Sequence, residues 1–240
     1  MMKIDIHTHV LPGIDDGAED WDTCLEMLRR SAECGVKAVI ATPHYLPWKQ
    51  KTSPQKIEEL CLKAKEKLLE KHGITMDIYC GNEIYYTTDA IHNLRERKML
   101  TLAGSRYLLV EFGTQTSYMV VRRAVTDFRE AGYIPIVAHV ERCDCLRHPD
   151  KLQQIKEVGA LLQMNVEALK GGLFNSRRRW AKKRLAQEQI DFLASDMHDL
   201  SRRTPMVEKE LQRVLKKLKP EYQTELLYGN AQKIIDRIGV

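Results

Sequence analysis

IDIHTHVLPGIDDGAED, residues 4–20, starts as a short apolar run and ends in two imidazoles and two neighbouring carboxylates. His7 and His9 stand one residue apart, so on a strand they face the same side, and Asp15 and Asp16 follow within a turn. The pair says little alone, because any two alternate strand residues share a face. Its meaning depends on how the other strands of the chain end.

Outward from this stretch, apolar runs recur at Ala38–Ala41, Met76–Cys80, Tyr107–Val110, Ile134–Ala138, Leu161–Met164 and Asp191–Ala194. Segments of helical periodicity lie between them, at Trp21–Cys34, Pro54–Lys71, Tyr118–Ala131, Lys151–Val158 and Arg177–Gln189. Two more helices are predicted over Pro205–Lys217 and Asn230–Ile238. Strand and helix in alternation predict βαβ units and a parallel sheet. Gly35, Gly73, Gly132 and Gly159 fall where a helix must stop and turn toward the next strand. Neither a linker nor an internal repeat interrupts the series, so residues 1–240 read as one domain.

Each apolar run gives way to polar chemistry. The first ends in His7 and His9, the second in Pro43-His44, the third in Asn82-Glu83 and the fourth in Glu111. The fifth ends in His139-Val140-Glu141-Arg142, the sixth in Asn165, the seventh in Asp196-Met197-His198. Such a succession is the pattern of a barrel whose working groups sit at the carboxyl ends of its strands.

Composition permits this and narrows the rest. The chain is 43% hydrophobic and 30% charged, as in an ordinary globule, with a formal charge of +5. That charge suits an anionic substrate and is too small to argue for nucleic acid. The N-terminus has no charged-then-apolar signal pattern and no apolar run reaches spanning length, so membrane insertion is not expected. Six scattered cysteines predict free thiols in a reducing cytoplasm, and none is read as heading a C-x5-R phosphate loop. Cys143 and Cys145, the one close pair, read as ordinary loop thiols.

His7, His9, Asp16, His44, Glu83, Glu111, His139, Asp196 and His198 therefore form the candidate ligand set, holding five of the eight histidines. His72, His92 and His148 lie on predicted surfaces and are left out. Imidazole with carboxylate and no thiolate suits Mn²⁺, Fe²⁺, Zn²⁺ or Mg²⁺. One open catalytic site takes about three protein ligands, so this many donors imply two or three ions. Paired ions lower the pKa of a bound water and clamp the oxygens of a phosphoryl group, which is a hydrolase design.

In order along the chain, IDIHTHVLPGIDDGAED, ATPHY, GNEIYY, LLVEF, PIVAHVER, LLQMNVEAL and FLASDMHDLSRR resemble the PHP (polymerase and histidinol phosphatase) superfamily over about residues 3–238. Within it, the chain is similar to the CpsB-like, manganese-dependent protein-tyrosine phosphatases of capsule and exopolysaccharide operons. The resemblance implies an α/β fold, a distorted seven-stranded (β/α)7 TIM-like barrel with its metal site at the C-terminal strand ends. It further implies three ion sites: His7, His9, Glu83 and Asp196; a bridging Glu83 with Glu111 and His139; and Asp16, His44 and His198. Asp16 rather than Asp15 follows from the family pattern, since spacing does not separate neighbours. Mn²⁺ is the first expectation, with Fe, Zn, Co or Mg as alternatives. Arg142 matches the family's phosphate-binding arginine, a role its planar fork suits, and Arg203 is a second candidate, with Arg202 beside it. The implied partner is the phosphotyrosine-bearing tail of a bacterial tyrosine kinase.

Two departures from the family pattern stand out. Cys143 occupies the position after H-x-E-R where an aromatic is usual, and SRRRWAKKRLAQEQ (176–189) is richer in arginine than expected. That stretch reads either as the solvated face of an amphipathic helix or as a docking face for an acidic or phosphorylated tail. Three rival functions remain. A histidinol-phosphate phosphatase would share every ligand. An amidohydrolase would need a metal-bridging lysine on a middle strand. A catalytically silent PHP-type binding module would have lost ligands that are all kept here.

Overall fold

The first strand, β1 (Lys3–Thr8), is buried at every position, as a parallel strand covered on both faces must be. This is seen in a computed structural model that describes residues 2–49, 52–172, 175–205 and 208–236. β1 pairs in parallel with β2 (Val36–Ala41), which pairs with β4 (Asp77–Cys80). A second parallel sheet runs in the order β3 (His44–Tyr45), β5 (Glu83–Tyr85), β6 (Tyr107–Glu111), β7 (Ile134–Val137), β8 (Leu161–Asn165) and β9 (Phe192–Ala194). The two sheets meet where Thr8 bridges Met197. There the Asp196 N–H donates to the His7 carbonyl and the His9 N–H to the Met197 carbonyl, each at 2.9 Å. The result is an α/β fold built on a curled parallel sheet.

All seven predicted strands are present, with boundaries moved by one or two residues. The pairing nevertheless divides the described residues into nine strands in two sheets, not the expected seven. β3 takes up the course of β2 after Thr42-Pro43, and β5 that of β4 after Gly81-Asn82. Pro43 has no N–H to donate to a ladder. Its carbonyl is taken by the Asn82 side chain at 2.9 Å, and the Asn82 Oδ1 accepts the Leu100 N–H at 2.8 Å. The ladder breaks at the level where the chain turns its polar residues toward the site.

The helices are α1 (Trp21–Glu33), α2 (Pro54–His72), α3 (Ala90–Arg95), α4 (Tyr118–Glu130), α5 (Pro149–Glu157), α6 (Ser176–Ala186), α7 (Glu208–Leu215), α8 (Pro220–Thr224) and α9 (Asn230–Ile235). Their starts are chemically marked: Asp20, Ser53, Ser117 and Asn175 each accept an N–H of the first turn. Gly73 ends α2 at φ 65°, a conformation glycine adopts without a Cβ clash. Two features are not legible in the periodicity, the short α3 and the passage of α8 through a wide π turn (Glu225–Gly229) into α9. The predicted helix positions at 206–207 and 237–238 lie outside the described residues.

α1 and α2 pack with β2 around Leu28, Val39, Ile57 and Leu68. β6 to β9 share a larger core with α4, α5 and α6. Ile4, Ile6, Ile40, Leu109, Ile136 and Phe192 form a third cluster drawn from both sheets. Burying side chains of this size contributes about 1.5–3 kcal/mol each. The carboxyl ends of the strands are thereby held on a rigid frame.

Candidate metal centre

After β1 the chain folds back on itself. The Ala18 N–H donates to the His9 carbonyl at 3.0 Å, and the Gly17 N–H to Asp15 Oδ1 at 3.0 Å. A Cβ on Gly17 would lie 2.0 Å from the His9 carbonyl oxygen, so this return needs glycine. Two site residues, His139 (φ 31°) and Asp196 (φ 53°), sit in left-handed backbone. Non-glycine residues held there cost of order 1–3 kcal/mol, and the conformation aims both side chains inward from the ends of β7 and β9.

All nine expected residues meet. His7 Nε2 lies 3.2 Å from His9 Nε2, 3.2 Å from Glu83 Oε2 and 3.3 Å from Asp196 Oδ1. His9 Nε2 lies 3.3 Å from Glu83 Oε2 and 3.5 Å from Asp196 Oδ1. His44 Nδ1 is 3.0 Å from Glu83 Oε2 and 3.9 Å from Glu111 Oε2. His139 Nε2 is 2.8 Å from Glu83 Oε1 and 3.5 Å from Glu111 Oε1. Asp16 Oδ1 stands between His44 Nε2 at 3.3 Å and His198 Nε2 at 3.4 Å.

The partition into ion sites differs in detail from the expected one. Donor atoms within 4.8 Å of one another group His9 with Asp16, His44 and His198; His7 with His9 and Asp196; and His44 with Glu83 and Glu111. His9 and His44 are therefore shared between groups. His139 reaches the pair of glutamates without joining a group.

The donor set fits divalent cations. Metal–ligand bonds of about 2.1 Å put tetrahedral donors about 3.4 Å apart, the separation seen among His7, His9, Glu83 and Asp196. Three buried atoms of the set, His44 Nδ1, Glu83 Oε2 and His198 Nε2, have no hydrogen-bond partner. Leaving a buried polar group unsatisfied costs about 1–3 kcal/mol, and ions bound within the donor groups to which they belong would satisfy them.

The electrostatics agree. Burial lowers the basicity of His9, but the Asp15 and Glu83 carboxylates more than reverse this and push it up to about 9. Burial likewise opposes charge on His44, and Asp16 and Glu83 push it up to about 11. Burial disfavours the Glu83 anion, yet His7, His139 and His44 hold its carboxyl well below the usual range. The neighbouring His198 and His44 imidazoles hold Asp16 down. Glu111 moves the other way, raised by burial and by the charge of Glu83. Carboxylates that favour positive charge on the buried His9 and His44 imidazoles also favour a cation in place of those protons.

Residues left out of the expected ligand set orient these donors. Asp15 holds His9 Nδ1 at 2.7 Å, so the opposite nitrogen faces the cluster, and its Oδ2 also accepts the His44 N–H at 3.2 Å. Gln163 Oε1 meets His7 Nδ1 at 3.1 Å and the His139 N–H at 2.7 Å. Asn165 donates to Asp196 Oδ2 at 2.6 Å. Gln163 and Asn165 did carry a signal, since they alternate on one face of an apolar strand, where polar side chains need partners. Asp15→Ala removes an orienting partner but no donor. It should weaken metal retention by about 10- to 100-fold in competition with a chelator, and unchanged retention would show that His9 needs no such support.

Both candidate arginines reach the cluster at one carboxylate. Arg142 Nη2 is 3.2 Å from Asp196 Oδ2, and Arg203 Nη2 is 2.7 Å from Asp196 Oδ1. Arg142 side-chain exposure is 29% and that of Arg203 27%, which leaves donors on each facing outward. Arg202 makes no such contact with Asp196.

The thiols lie apart from this chemistry, and all six are free. Cys24 and Arg30 do have the C-x5-R spacing, so sequence alone does not exclude a phosphate loop. Both, however, lie inside α1, and burial pushes the Cys24 thiol up to about 12. Cys143 and Cys145 contact each other, with sulfurs 3.6 Å apart. Replacing both with Ser should leave turnover of an aryl phosphate within about three-fold, whereas a thiolate nucleophile would lose it altogether.

Comparison with known proteins follows the same lines. The sequence model of a family described as "Capsular polysaccharide synthesis, CpsB/CapC" matches residues 3–236. The chain is 32% identical over 238 residues to the tyrosine-protein phosphatase CpsB of Streptococcus pneumoniae, covering 97% of this chain and 98% of that protein. It is 32% identical over 227 residues to the tyrosine-protein phosphatase YwqE of Bacillus subtilis, covering 94% and 87%. Among solved structures, one from work on YwqE and CpsB as "unique metal-dependent tyrosine phosphatases" superposes with a TM-score of 0.88 at 30% identity, covering 99% of this chain and 96% of the other. A phosphotriesterase homology protein from Escherichia coli reaches a TM-score of 0.63 at 10% identity, a likeness of fold alone.

Proposed function

Because the chain belongs to the CpsB/CapC family of capsular polysaccharide synthesis, we propose that it hydrolyses phosphotyrosine in proteins with divalent metal ions as cofactors. The convergence of nine imidazole and carboxylate donors at the strand ends carries this function. His7, His9, Asp16, His44, Glu83, Glu111, His139, Asp196 and His198 hold the ions. Their all-nitrogen-and-oxygen chemistry favours Mn²⁺, with Fe, Zn, Co or Mg as alternatives. Bound ions would supply a low-pKa water and positive charge facing the phosphoryl oxygens.

The chain's own residues do the remaining work. Asp15, Gln163 and Asn165 fix the orientation of His9, His7 and Asp196. The outward N–H groups of Arg142 and Arg203 bind the equatorial phosphoryl oxygens and favour the charge that builds there. Tyrosinate leaves readily for an alkoxide-type group, with a pKa of about 10, so its departure needs only modest help.

The relatives named as tyrosine phosphatases favour a phosphotyrosyl protein over histidinol phosphate. We assign the phosphotyrosine-bearing tail of a bacterial tyrosine kinase as the substrate. No described helix is long and apolar enough to cross a membrane, and the free thiols fit a cytoplasmic site of action. With β2/β3 and β4/β5 taken as two interrupted strands, the architecture reads as a distorted (β/α)7 barrel in a single domain, a view supported by the Thr8–Met197 bridge. The deciding assay compares phosphotyrosyl peptide with histidinol phosphate after chelation and Mn²⁺ addition. Turnover of the peptide is expected, and preference for histidinol phosphate would overturn the assignment.

A further inference from the structure

α6 carries Arg177, Arg178, Arg179, Lys182, Lys183 and Arg184 and no acidic residue. Arg184 is the exception among them, being 2% exposed and bonded to Gln189. Arg177, Arg179 and Lys183 are exposed, and among the described residues no carboxylate pairs with them. Burial, together with the charges of Arg178 and Lys217, pushes the Lys182 amine down, a sign that positive charge here is not neutralised. A solvated helix face of the usual kind alternates charge signs, and this one does not.

The helix borders the turn that follows His139 of the cluster. α6 packs against the turn Val140–Arg142, and the Trp180 indole N–H donates to the Arg147 carbonyl at 2.8 Å. A cavity of about 450 Å³ lies between Arg147 and Asn175, Ser176 and Arg177. Arg147 follows Arg142 by five positions, so at most about 18 Å lies between the Cα atoms of the phosphate-binding arginine and of the residue beside the basic helix.

We propose that the outer face of α6, with Lys217, docks an acidic segment of the substrate polypeptide within about five residues of its phosphotyrosine. This rests on the phosphotyrosine reading above. Charge complementarity selects the occupant. The outward positions of the helix offer no apolar stripe for a lipid surface, since Trp180 is half-buried with its N–H engaged inward. No aromatic is exposed on α6 to stack a base, and the net charge of the chain, +5, is low for a nucleic-acid binder.

The test compares wild type with Arg177→Glu/Arg179→Glu/Lys183→Glu on three substrates. These are p-nitrophenyl phosphate, a phosphotyrosyl peptide with Asp and Glu in the five flanking positions, and its Asn/Gln counterpart. The variant should raise KM about ten-fold for the acidic peptide alone, with kcat unchanged, because several exposed charge contacts are reversed together. The wild-type preference for the acidic peptide should shrink as salt is added. Equal KM values for the two peptides, or an unchanged KM in the variant, overturn the docking proposal while leaving the phosphatase assignment intact. Loss of anionic-vesicle binding in the variant with KM unchanged would assign the face to a membrane instead. Failure of wild type to hydrolyse any of the three overturns both readings.

Discussion

Replacing Glu83 with Ala is expected to remove metal and activity together. Its Oε2 lies within 3.3 Å of donor nitrogens on His7, His9 and His44, while Oε1 meets His139 at 2.8 Å. No other carboxylate of the cluster touches four histidines. Without it those imidazoles lose the one carboxylate that all four share, and catalysis should fall by more than about a thousand-fold. Glu83→Gln keeps the volume and is the control for folding. Metal analysis and aryl phosphate turnover on the same preparations give the result. Chelation of the wild type should act likewise, with Mn²⁺ restoring activity best. Metal affinity should also fall with pH, because an ion must displace the protons that His9 and His44 hold so readily. Full activity in metal-free protein would falsify the assignment of these residues.

Arg142→Ala should separate substrate binding from metal assembly. Asp196 keeps its contact with Arg203 when Arg142 is removed, so metal content should not change. Loss of a charge-assisted clamp on a partly desolvated phosphate removes about 2–4 kcal/mol of transition-state stabilisation, or about 30- to 1,000-fold in kcat/KM. Arg142→Lys should recover only part of this, since an ammonium cannot reproduce the planar fork. Wild-type kcat/KM in Arg142→Ala would move the phosphate site to Arg203. Because both arginines meet the same aspartate, the double variant should lose more than either single one.

Arg142 shows what residue spacing does not convey: in the structure its charge is already answered by Asp196. Asp15 and Asp16 are similar in kind. Adjacent in sequence, they point to different work, one fastening the back of His9 and the other facing His44 and His198.

Local patterning was enough for the alternating strands and helices, the turn glycines and, Asp16 apart, the membership of the cluster. Those features depend on residue spacing of about two or 3.6, on backbone sterics, and on polar chemistry recurring at strand ends, all of which are written along the chain. Only the assembled fold decided which donors stand close enough to share an ion, which aspartate faces the cluster, and that Gln163 and Asn165 hold His7 and Asp196 in place. It also buried Arg184 within a run of exposed and half-buried cations, and interrupted two strands at Pro43 and at Gly81-Asn82. These outcomes turn on distances between residues far apart in sequence, such as His7 and Asp196, which approach to 3.3 Å only once the first and last strands meet.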